Sequence, residues 1–165
     1  MSEKSVASPL GAVVREGDGY RLEFVRTFPD PIERIWAALT DSTELQGWYG
    51  TWQGDPSTGS IEVTFCEAPG DPGIVQILEC DAPRRLGIVV PSPDGDWPLS
   101  VDLEAIVGGT QLTFVHRLAE PYDATSSGPG WHYYMDRLNA HLEGSEPTED
   151  WSAYELLGPQ YALPE

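Results

Sequence analysis

From Ser60 to Leu118 the chain is a succession of segments that alternate apolar and polar residues, separated by connections too short to hold a helix. The pattern is plainest in Leu99–Val107, where Val101, Leu103 and Ala105 face one way and Asp102 and Glu104 the other. It recurs in Thr110–Leu118, where Leu112, Phe114, His116 and Leu118 share a face. A period of two marks strands with one buried side. Gly108-Gly109 between them reads as a hairpin turn. Upstream, Ser60–Glu67 and Gly73–Asp81 flank a turn centred near Gly70, and Arg84–Val90 follows with Leu86, Ile88 and Val90 alternating. Pro91 to Trp97 is a further turn. Connections this short force successive strands to run antiparallel. With Tyr20, Leu22 and Phe24 alternating earlier in the chain, an antiparallel sheet of six or more strands is predicted.

A sheet with one apolar face needs a cover. Trp131, Tyr134, Met135, Leu138 and Leu142 form an apolar stripe at helical spacing, and Gly144 ends that helix. The opposite side, His132, Asp136, Asn139 and Glu143, is predicted to be wet. Residues 119–130, ending in Gly128-Pro129-Gly130, read as the loop before it. The economical arrangement is α+β, with a long C-terminal helix laid across the concave face of the sheet. Two shorter helices precede the strand run. Asp30, Pro31 and Glu33 form a capping signal ahead of Ile32, Ile35, Trp36 and Leu39, and Asp41–Glu44 repeats it for a short helix ending near Gly47-Trp48. Gly50 to Gly59 reads as a loop. Residues 1–165 are expected to make a single domain, with 1–18 a loose lead-in. The acidic tail 145–165 is expected to pack back on the domain through Trp151, Tyr154, Leu156 and Tyr161.

Charge narrows the partners. Against 27 acidic residues stand 9 basic ones, a net charge of −18 spread through both halves. Such a surface repels phosphate backbones and anionic headgroups, so neither nucleic acid nor a membrane surface is expected as a partner. Met1 to Val14 lacks the apolar run of a secretory signal, and nothing approaches the ~18 apolar residues of a membrane span. A cytoplasmic protein is expected, with Cys66 and Cys80 as reduced, buried thiols. His132 and His141 lie about two and a half helical turns apart, on opposite sides of their helix. No HExxH, zinc-finger spacing, phosphate loop, GxGxxG or GxSxG occurs, so no metal and no cofactor is predicted.

Two stretches of the chain resemble a known family. Arg26-Thr27-Phe28, Pro31-Ile32-Glu33-Arg34-Ile35-Trp36-Ala37-Ala38-Leu39-Thr40-Asp41, Glu44-Leu45 and Trp48 resemble the opening signature of the START-like (SRPBCC) superfamily. The branch is the one homologous to the activator of the heat-shock-protein-90 ATPase. The closing helix, with Gly130-Trp131, Tyr134, Met135, Leu138, Leu142 and Gly144, is similar to that branch as well. The resemblance implies a helix-grip fold and, between sheet and helix, a cavity for a lipid, polyketide or other apolar ligand.

Candidate site residues follow from that geometry. Trp48, Trp97, Phe114, His116, Trp131, Tyr134 and Met135 are expected to line the cavity, with Trp52 beside them, while Trp36 is expected to pin the first helix to the sheet. His116 reads either as a proton-moving or ligand-bonding group or as a core histidine bonded to a neighbour. The reading that leads is binding or sequestration of a small apolar or aromatic molecule, without catalysis. The alternatives are a cyclase- or aromatase-like enzyme using the same cavity, and a protein-interaction module linked to a chaperone.

Overall fold

A computed structural model describes residues 11–17, 19–65, 73–90, 97–118, 124–146 and 151–161. Among them are eight strands: β1 (Ala12–Glu16), β2 (Gly19–Phe28), β3 (Gly50–Gln53), β4 (Ser60–Phe65), β5 (Gly73–Asp81), β6 (Arg85–Val90), β7 (Trp97–Ile106) and β8 (Gly109–Leu118). They form one antiparallel sheet in the order β1-β2-β8-β7-β6-β5-β4-β3. The β7–β8 hairpin supplies its centre, with Val101 opposite Phe114 and Leu103 opposite Leu112, so the alternating apolar faces meet in register. Gly108 takes the positive φ of the turn, at 86°. Gly109 is already in the strand, where any side chain would run into the Phe28 carbonyl.

Two strands come from segments read as irregular. β1 lies within the expected lead-in 1–18, and β3 within the expected loop Gly50–Gly59. Both are edge strands, paired on one side only, so neither needs the strong alternation that betrays a central strand. In the β4–β5 pair Ile61 stands opposite Val75 and Val63 opposite Gly73, and the expected turn near Gly70 lies outside the described residues. Cys80 is exposed, not buried, and Cys66 lies outside the described residues.

Helix α1 (Ile32–Thr40) follows β2, and the capping signal acts differently from expectation. Pro31 holds the cap position without a side-chain bond, and the Asp30 carbonyl accepts from the Thr110 hydroxyl at 2.8 Å. At α2 (Ser42–Leu45) the signal works as read: the Asp41 carboxylate accepts from the Thr43 amide at 2.9 Å.

The long helix α3 spans Ala124–Glu143, so it begins well before Trp131 and runs through Gly128-Pro129-Gly130. Tertiary burial overrides the local breakers here. Pro129 is fully buried, and a Cβ on Gly128 would overlap the Tyr161 ring, so glycine is what lets that ring lie against the helix. The ring belongs to the tail, which returns as α4 (Trp151–Glu155) and a 3-10 turn (Gly158–Tyr161) packed on α3.

The tail also covers the first half of the helix face expected to be wet, at His132 and Asp136, while Glu143 is exposed as expected. His132 has no exposed surface, and its Nδ1 lies 2.9 Å from the Tyr161 hydroxyl. Asp136 accepts from Arg26 at 3.0 Å and from the Tyr154 hydroxyl at 2.6 Å. Tyr161 accepts in turn from the Gly11 amide at 3.0 Å, tying the tail to the start of the sheet. Burial raises the ionisation of both tail phenols above the usual range, so they stay protonated. The helix therefore has two buried faces: an apolar one against the sheet and a polar one under the tail.

Candidate ligand-binding cavity

The sheet and α3 do not fill the space between them. A cavity of about 220 Å³ remains, walled by β4–β8, α1, the α2–β3 connection and α3. Trp36, Leu39 and Thr40 come from α1, and Trp48 and Tyr49 from the connection. The floor is the apolar row of the sheet, Val63, Val75, Ile88, Val101, Leu112 and Phe114. Trp131 and Met135 close it from α3. Pro56 and Cys80 are exposed, and Trp36, Thr40 and Trp52 are half-buried, which marks the mouth.

The tryptophans are held by hydrogen bonds directed at α1. Trp48 donates Nε1 to the Ala38 carbonyl at 2.9 Å, and Trp52 donates Nε1 to the Thr40 carbonyl at 2.8 Å. These carbonyls belong to the last turn of α1, where no further helical amide can reach them. Each indole thus satisfies a helix end with its N–H and offers ring carbon to the cavity. Tyr49 stacks near Trp131 with ring centres 6.2 Å apart, and Phe114 lies 4.7 Å from Trp131.

A bulge sets which residues of β5 enter the wall. Val75 and Ile77 face the cavity, and strict alternation would bring Glu79 next. Instead the register shifts between Ile77 and Glu79, leaving Leu78 as the extra, exposed residue. Cys80 then faces the cavity opposite Leu86, while Glu79 turns to the outer surface. There Arg85 bridges it at 2.6 Å to Asp102 at 2.7 Å across three strands.

Four of the expected residues, Trp48, Phe114, Trp131 and Met135, line the cavity. Trp97, His116 and Tyr134 do not; they form a layer behind Trp131. His116 is 1% exposed, stacks on Trp97 at 4.8 Å, and accepts a hydrogen bond at Nδ1 from Trp131 Nε1 at 3.1 Å. Burial lowers its pKa to about 4, so it is a neutral imidazole that orients the Trp131 ring. Trp36 faces the cavity as well as anchoring α1. Ala105 is exposed near the hairpin tip, outside the wall. Tyr49 lines the cavity too, from a connection with no periodicity to mark it in the sequence. No group of three metal-ligating side chains occurs among the described residues. Nor is any described helix long and apolar enough to cross a membrane.

No curated protein matches the chain. Solved structures share its architecture. CalU16 from Micromonospora echinospora is 22% identical, with a TM-score of 0.76 over 92% of this chain and 94% of that one. EF2215 from Enterococcus faecalis, a conserved protein of unknown function, is 17% identical, with a TM-score of 0.74 over 91% of this chain and 88% of that one. DynU16, from the dynemicin biosynthetic locus, is 21% identical with a TM-score of 0.68; 80% of this chain spans 49% of that one. At these identities the likeness shows the α+β helix-grip fold. The family model described as activator of Hsp90 ATPase homolog 1-like protein matches residues 30–143, from the start of α1 to the end of α3. The chain belongs to that family.

Proposed function

We propose that the protein binds one small apolar or aromatic molecule in the cavity between sheet and α3, and sequesters or carries it. The observation behind this reading is the composition of the wall. Among the described residues, six aromatic side chains line it, Trp36, Trp48, Tyr49, Trp52, Phe114 and Trp131, and no Asp, Glu, Lys, Arg or His does. An apolar space of about 150 Å³ already stays dry and accepts benzene, and this one is about 220 Å³. Water gains few hydrogen bonds there, so an apolar guest displaces little that is stable.

A cyclase-like reaction in the same cavity requires a group that moves protons at the substrate. His116 commits Nδ1 to Trp131 and sits behind that ring, which favours binding over catalysis.

The test is a titration with N-phenyl-1-naphthylamine, an uncharged fluorophore, followed by its emission and by tryptophan quenching. Saturation at one molecule per chain is expected. Val101→Phe, which extends a wall residue into the space, should weaken binding at least about tenfold while costing about 1–3 kcal/mol or less in stability. Ala105→Trp, outside the wall, should leave affinity unchanged. Unsaturable binding, or saturable binding indifferent to Val101→Phe, would remove the reading.

A further inference from the structure

We infer that the cavity selects uncharged ligands and turns away those bearing a carboxylate. This rests on the binding reading above and adds a chemical class to it. A carboxylate taken out of water needs a cation or several convergent donors to replace its hydration. Among the described residues the wall supplies no cation. None of the arginines lines it, and five are engaged with acids elsewhere: Arg21 with Glu23, Arg26 with Asp136, Arg34 with Glu44, Arg84 with Asp81, and Arg85 with Glu79 and Asp102. All three histidines also lie outside the wall. Of the four tryptophans in the wall, Trp48 and Trp52 commit their N–H to α1 carbonyls and Trp131 commits its own to His116, which leaves too few indole donors to converge on a carboxylate.

Among the described residues, the polar ones of the wall besides the indoles are Thr40, Tyr49, Ser100 and Cys80, all uncharged. They suit a neutral hydroxyl, carbonyl or ester. The β5 bulge contributes to the same end, because it rotates Glu79 out and Cys80 in. Outside, a net charge of −18 adds repulsion to any anion nearing the mouth. The size of the cavity, about 220 Å³, suits a compact ring system better than a long acyl chain. The ligand class is therefore an uncharged, compact ring compound, and a free fatty or aromatic acid is refused.

Competition against N-phenyl-1-naphthylamine at neutral pH tests this with three compounds sharing one ring system: methyl 2-naphthoate, 2-naphthol and 2-naphthoate. The ester and the naphthol should compete at similar concentrations, and the acid should be weaker by at least about fiftyfold. Cys80→Lys, a substitution at an exposed mouth position, should narrow the gap between ester and acid about tenfold. An acid within about fivefold of the ester, or a gap that the lysine leaves unchanged, overturns the selectivity while the binding reading stands. If neither the fluorophore nor any of the three compounds binds, the binding reading falls and the selectivity falls with it.

Discussion

His116 and His132 are buried bases, and that gives the fold a defined response to acid. Burial is the main cause that lowers each from 6.5 to about 4; at His132 the Arg26 charge pushes the same way and Asp136 opposes both. The unfolded chain takes up these protons near pH 6.5, whereas the folded chain resists until about pH 4. Between those values the unfolded state binds more protons, so stability falls as pH is lowered through the window and is flat above it. Each histidine contributes a slope approaching about 1.4 kcal/mol per pH unit. Urea melts between pH 7 and 5 should show this loss, and His116→Gln, which retains an acceptor for Trp131, should reduce its slope by about half. A slope untouched by that substitution would mean His116 is solvated. At this scale the sequence was partly legible. Alternation alone put Phe114 and His116 on one strand face, correctly. It could not show that Trp131 comes between His116 and the cavity, because that depends on a contact between elements far apart in the chain.

At the scale of elements, the strong strands and the apolar stripe of α3 were legible because each repeats its signal several times. β1 and β3 were not, since an edge strand satisfies its ladder on one side and tolerates mixed sequence. The early start of α3 was hidden for a different reason. Gly128-Pro129-Gly130 is a loop signal by propensity, and in the fold the tail packs over this helical segment. Gly128→Ala separates the two influences. In an isolated helix that change would gain about 0.8–1 kcal/mol. Here the new methyl group meets the Tyr161 ring, and thermal unfolding should show a net loss of about 1–3 kcal/mol. A gain would mean the tail does not hold its ring against α3. The β5 bulge belongs to the same class of hidden feature: one extra residue, Leu78, decides whether a carboxylate or a thiol faces the cavity.

The whole molecule divides its chemistry by location. Its 27 acids give the chain a strong negative field, yet none of those among the described residues is in the cavity wall. One cluster of interior polar groups, Arg26, Asp136, His132 and Tyr161, lies under the tail, outside the cavity wall. The helix thus separates a hydrogen-bonded layer that fixes its position from an apolar space left open. The claim that this space is a binding site can be read at one atom. The chain has two methionines, Met1 and Met135, and Met135 is 3% exposed in the cavity wall. With methionine methyl groups labelled by carbon-13, the Met135 resonance reports the cavity alone. On adding N-phenyl-1-naphthylamine to one equivalent it should shift and show through-space contacts to the ring protons, and Val101→Phe should abolish both. A fluorophore that binds while the Met135 methyl resonance stays in place would contradict the account.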